Sequence, residues 1–204
     1  MAPLLRLSDR LARVCTVAAR IGAWTIMPLI LIIVFDVVTR KIPGVQQYVL
    51  SSRLNDFMSA TRLQELEWHF HAVIFLLAYG FAYLDGTHVR VDIWRDNRSE
   101  RSRGFIELAG LVAFAIPYVA VLIWFGWEFV AKSYFQHEAS PSATGLPNRW
   151  IVKSFLLIGA VLLMCSLIAT LLRVISYLFG PPEVARAARE RLGMIALDKS
   201  AERS

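Results

Sequence analysis

Four apolar stretches, about 21–39, 66–84, 105–131 and 151–179, each have the length to cross a bilayer, and they limit the fold more than anything else in the chain. A membrane helix needs roughly 20 mostly apolar residues. Hydrocarbon offers no water to a backbone N–H, so segments of this kind span as helices. The expected fold is therefore all-α: four transmembrane helices in residues 1–182, then a cytoplasmic basic tail over 183–204. Composition agrees. The 204 residues are 56% hydrophobic and 19% charged, with mean hydropathy +0.51, whereas a soluble domain is roughly half apolar and a quarter charged. Little chain is left for a separate soluble domain.

The spans differ in detail. The first is free of formal charge from Ile21 to Phe35 and contains Pro28; Asp36 and Arg40 follow at i, i+4 spacing for an ion pair. Its apolar run is too long for a signal-peptide core and no A-x-A-like site follows, so it reads as retained. The second is uncharged from Ala72 to Leu84 but begins among Glu65, Glu67, His69 and His71. The third carries Pro117, and Glu107 and Glu128 mark its ends about 31 Å apart along a helix, the thickness of the hydrocarbon. The fourth has Trp150 and Tyr177 where an aromatic belt belongs.

Basic residues alternate between the segments. Fifteen of the 22 Lys and Arg residues lie before the first span, between the second and third, or from Arg173 onward; seven lie in the other two loops. The positive-inside rule then places both termini and the middle loop in the cytoplasm. In the first outer loop Leu50, Leu54, Phe57, Met58 and Thr61 recur at helical spacing, which predicts a short amphipathic helix. Leu4, Leu7, Leu11 and Val14 beside Arg6, Arg10 and Arg13 predict a basic helix on the inner leaflet, and Val184, Ala188, Leu192 and Ile195 predict another. The net charge of +6 is thereby a matter of topology, and nucleic acid is not an expected partner.

No Asp, Glu, Lys, Arg or His falls near the middle of these spans. Ionisable groups at that depth mark ion or substrate pathways, and a transporter core also tends to broken helices and an internal repeat around a midplane site. A scaffold, anchor or accessory subunit is expected instead, with no enzymatic activity and no cofactor. Cys15 and Cys165 form no CxxC pair and read as buried free thiols.

Three blocks make the reading specific. They are Gln64-Glu65-Leu66-Glu67-Trp68-His69; Asp85-Gly86-Thr87-His88-Val89-Arg90-Val91-Asp92; and Glu138 and Ser140 followed by Gly145-Leu146-Pro147-Asn148-Arg149-Trp150 and Lys153. Together with the four-span layout they resemble the small permease subunit of TRAP (tripartite ATP-independent periplasmic) transporters, the DctQ family. The resemblance implies a bacterial inner-membrane protein that holds a large permease subunit. The large subunit moves an organic acid or similar solute, driven by a sodium gradient and delivered by a periplasmic binding protein. It also makes Gln64, Glu65, Glu67, Trp68, His69, Glu138, Arg149, Trp150 and Lys153 candidates for a partner interface.

From the residues alone, Glu65–His69 and Glu67–His71 are i, i+4 pairs, either a partner-contacting cluster or side chains solvating a helix end. Glu128–Lys132 is a further expected pair. Asp85, Gly86, His88, Arg90 and Asp92 read as a structural motif that ends the second helix, with glycine suited to the terminus. Gly145-Leu146-Pro147 reads as a turn re-entering the membrane at Trp150. A different class remains open: a four-helix anchor or b-type cytochrome of a respiratory complex, with haem between His69 or His71 and His137.

Overall fold

The structure, a computed structural model, describes residues 2–52, 59–87 and 98–192. Among these there is no strand. Helix α1 spans Ala2–Trp24 and α2 Ile26–Lys41. The short α3, Pro43–Ser51, follows, and α4 spans Ala60–Leu84. Glu100–Gly110 (α5) continues through a π-helical turn, Leu111–Ala115, into α6, Ile116–Phe135. Trp150–Phe179 is α7 and Pro182–Leu192 is α8. Among the described residues three stretches are long and apolar enough to cross a membrane: Pro3–Lys41, which joins α1 to α2, Glu100–Phe135, which joins α5 to α6, and Trp150–Phe179, which is α7. Helix α4 has the length, but its first half carries Glu65, Glu67, His69 and His71.

Both mid-span prolines leave a mark. Proline has no N–H and crowds the carbonyl four residues earlier. At Pro28 that carbonyl is Trp24, and the helix breaks at Thr25, whose hydroxyl donates to Gly22 O at 2.6 Å. Near Pro117 the strain goes into the π turn instead, where Ile116 N–H donates to Leu111 O, one residue further back than in an α-helix.

Helix α7 is central. It packs against α1, α4, α6 and α8, and its buried Ser166 and Thr170 hydroxyls are satisfied by Leu163 O at 2.7 Å and Ser166 O at 3.0 Å. Small residues let helix backbones come close in membranes. At Gly80 of α4 an added Cβ would lie 2.6 Å from Leu162 O and 3.0 Å from Cys15 Sγ. Three helices therefore meet there with no room for a side chain. At the end of α4 Gly86 takes φ 71°, with Gly86 N–H donating to Tyr83 O and Thr87 N–H to Ala82 O, both at 3.2 Å, a Schellman closure. Gly86→Ala should cost about 1–2 kcal/mol, the penalty for a Cβ in the left-handed region, measured as a small fall in the thermal midpoint of the purified protein.

Two expectations need correction. The N-terminal segment does not lie apart on a leaflet: α1 runs along α4 and α7, burying Leu5, Ser8 and Cys15 while Leu7 and Val14 of the predicted apolar stripe stay exposed. Cys15 Sγ donates to Leu162 O at 3.4 Å, so Arg13 and Arg20 flank a level at which α7 is uncharged. The tail helix α8 likewise turns its apolar side onto protein. Its Leu192 joins Leu111, Val174 and Leu178 in the core, and Arg191 grips Asp9 of α1 with Nε to Oδ1 at 3.0 Å and Nη2 to Oδ2 at 3.1 Å. Buried Arg173 donates to Ser8 Oγ at 2.8 Å and to Arg191 O at 3.3 Å. Amphipathicity shows which side of a helix avoids water; it does not say whether lipid or protein covers it. Ile195 lies outside the described residues, as do Leu54, Phe57 and Met58 of the loop helix. The nearby helix α3 precedes that predicted stripe, and Thr61 already belongs to α4.

Candidate functional site

At the end of the bundle opposite Arg173, the first turns of α4 meet the 136–149 loop and the start of α7. The loop is tied back on itself: Arg149 N–H donates to Glu138 O at 3.0 Å and Ser140 N–H to Leu146 O at 3.1 Å. His137 and Asn148 take φ 49° and 60°, the left-handed turns that reverse the chain at each side.

Glu65 reaches from α4 into this loop. Its Oε2 accepts from Leu146 N–H at 2.6 Å and its Oε1 from the Ser140 hydroxyl. Ser59, the N-cap of α4, adds a bond to Thr144 O at 3.2 Å. Burial alone would raise the Glu65 carboxyl, but the Leu146 N–H, the Ser140 hydroxyl and the charges of Arg149 and His69 outweigh it and hold the group below the usual carboxylate range. Within the loop, Lys153 of α7 bonds Glu138 and holds its carboxyl low as well. The same ammonium lies 4.0 Å from the Phe129 ring centroid, and the Arg149 guanidinium sits 5.7 Å from that of Trp68. Trp150 meets Tyr134 edge to face at 5.4 Å.

The structure thus gathers Glu65, Trp68, His69, Glu138, Arg149, Trp150 and Lys153 at one end. The expected i, i+4 pairs take another form: His69 Nδ1 contacts the Glu65 backbone carbonyl and His71 Nδ1 the Glu67 carbonyl, the latter at 2.8 Å. Glu65 uses its carboxylate on the loop instead. Gln64 belongs to a neighbouring cluster, where its amide oxygen, turned toward Arg40, accepts from Nη2 at 2.7 Å. Arg40 in turn holds buried Asp36 through Nε at 3.0 Å and Nη2 at 2.8 Å, the pair that the spacing predicts. Glu128 and Lys132 are not among the ion pairs of the described residues. Asp85 caps α4 and Gly86 follows it, whereas His88, Arg90 and Asp92 lie outside the described residues. Helix spacing had no means of joining Glu65 to Ser140, 75 residues away.

Chemically the cluster is a clamp that ties the 136–149 loop to α4. Its carboxylates are satisfied, and no group of three or more His, Cys, Asp or Glu side chains suited to a metal occurs among the described residues. Exposed Trp68 beside Arg149, with Glu138 and Lys153 close by, offers aromatic and charged groups on one rim. The b-type cytochrome alternative gains no support, since His137 stands on an exposed loop and His69 and His71 each engage a backbone carbonyl.

Compared with known families, the chain matches the DctQ component of the tripartite ATP-independent periplasmic transporters over residues 29–176. No curated protein and no solved structure matches.

Proposed function

The chain belongs to the DctQ family of tripartite ATP-independent periplasmic transporter components, and on that premise we propose that it is the small membrane subunit that holds a large permease subunit in place. In this reading four segments cross the bacterial inner membrane, α4 being the fourth beside the three long apolar stretches, and both termini and the α5 end face the cytoplasm. The basic residues favour this orientation. Residues 1–182 form the membrane unit and 183–204 the cytoplasmic tail. The large subunit carries an organic acid or similar solute with sodium, and a periplasmic binding protein delivers it.

The family match over most of the chain is the observation on which this proposal rests. The Glu65 end would face the periplasm, with Gln64, Glu65, Glu67, Trp68, His69, Glu138, Arg149, Trp150 and Lys153 on or beneath the surface that meets the large subunit or the binding protein. Trp68 stands out because it is exposed beside a guanidinium, and aromatic and arginine side chains dominate binding energy at interfaces.

The test is retention of the large subunit on the tagged chain after solubilisation, together with uptake by whole cells. Trp68→Ala should weaken retention or uptake several-fold and leave the substrate preference unchanged, and Glu67→Ala should act in the same direction. A changed substrate spectrum would show that specificity resides in this chain.

A further inference from the structure

We infer that the arginine face of α1 is covered, in the assembled transporter, by a membrane-embedded protein partner that presents carboxylates to it. The inference rests on the transporter reading above, which supplies the partner: the large permease subunit.

Arg6, Arg10, Arg13 and Arg20 follow one another at spacings of four, three and seven, so they share one side of a helix. All four are exposed, and among the described residues no ion pair or hydrogen bond ties their side chains to another group. The other side of α1 is fixed in the bundle. Ser8 receives Arg173, Cys15 donates to Leu162 O, and a Cβ at Gly22 would lie 3.0 Å from Leu77 Cβ. Residues 15–22 are therefore aligned with the apolar parts of α4 and α7, and Arg20 looks outward from that depth, with Arg13 at its edge.

Lipid is a poor cover for this face. An arginine facing acyl chains at the middle of a membrane is strongly unfavourable, which is why such residues turn toward protein or water. Arg6 and Arg10, near the Arg173 end, can turn toward headgroups. Arg20 cannot, because it lies twelve residues beyond Ser8, roughly 18 Å along the helix. Beside the arginines Val17, Ile21 and Trp24 are 47%, 57% and 74% exposed. Arginine mixed with aromatic and aliphatic groups is the composition of a protein interface, and carboxylates are the groups that satisfy a guanidinium with two bonds at once.

The experiment uses the full chain, tagged and co-expressed with its large subunit, solubilised in mild detergent. Arg13→Leu combined with Arg20→Leu should retain at least ten-fold less large subunit than the wild-type chain, at equal membrane level and helix content. Arg13→Lys with Arg20→Lys should retain most of it. If the leucine variant holds the large subunit as well as wild type, the inference is wrong. Should the leucine variant fail to accumulate, a photo-reactive residue at Val17 in the otherwise unchanged chain decides. An adduct with the large subunit is expected; an adduct with phospholipid alone, or none, overturns the inference. A wild-type chain that retains no large subunit overturns the transporter reading itself, a failure visible before any variant is compared.

Discussion

Gly80→Val is expected to be the most damaging single change in the bundle, lowering the thermal midpoint of the detergent-solubilised chain by more than about 5 °C. The physical reason is local. A Cβ there would approach Leu162 O to 2.6 Å, and that oxygen is backbone in the middle of α7, which cannot rotate aside. Overpacking a tight site costs about 1–3 kcal/mol, and for a chain of this size each kcal/mol shifts the midpoint by roughly 2–4 °C. The change also threatens the Cys15–Leu162 contact, so α1 should loosen together with α4. Gly110→Ala is the control: nothing lies within 4 Å of a Cβ at that position, and no loss is expected. Equal effects of the two substitutions would mean that α1, α4 and α7 do not meet as described.

The second large effect is expected at Glu65. Glu65→Ala removes the acceptor of both the Leu146 N–H and the Ser140 hydroxyl. Hydrogen bonds to a charged group contribute about 1.5–3 kcal/mol each, and the donors left behind add a desolvation penalty where water cannot reach. The 136–149 loop should come free of α4, read as faster protease cleavage within 138–148 and a fall of at least roughly 5 °C in the midpoint. The pH dependence has a definite sign. Glu65 is held below its ordinary pKa in the folded chain, so its contribution is complete above the unfolded value of about 4.3 and is lost as pH falls through the lower folded value. Wild type should lose loop protection on that acid limb, and Glu65→Gln should show a flatter one.

How much of this was legible beforehand depends on distance along the chain. The apolar runs identified the helices of α6 and α7 and the helical part of α4, and i, i+4 spacing found Asp36–Arg40, because these signals are local. Helix spacing failed where tertiary packing decides. The stripe Leu4, Leu7, Leu11, Val14 had the regularity of a surface helix, yet the side of α1 that packs carries Ser8, Cys15 and Gly22, residues too small to register as an apolar face. The tail showed the converse: Ala188 and Leu192 are buried, but on α7 rather than in a leaflet. At the candidate site the family-like blocks marked Glu65, Glu138, Arg149 and Lys153 without saying how they connect. Glu65 joins Ser140 across 75 residues, and Lys153 joins Glu138 across 15, pairings set by the path of the loop rather than by helix spacing. Gln64, marked with the same block, turned instead toward Arg40.

We propose that this chain supports transport without carrying solute. Reconstituting it in liposomes, alone and then with the large subunit and the binding protein, and following solute entry under an inward sodium gradient tests that most directly. The complete set should accumulate solute while the single chain remains at the level of empty vesicles. Sodium-driven accumulation by the single chain would contradict it.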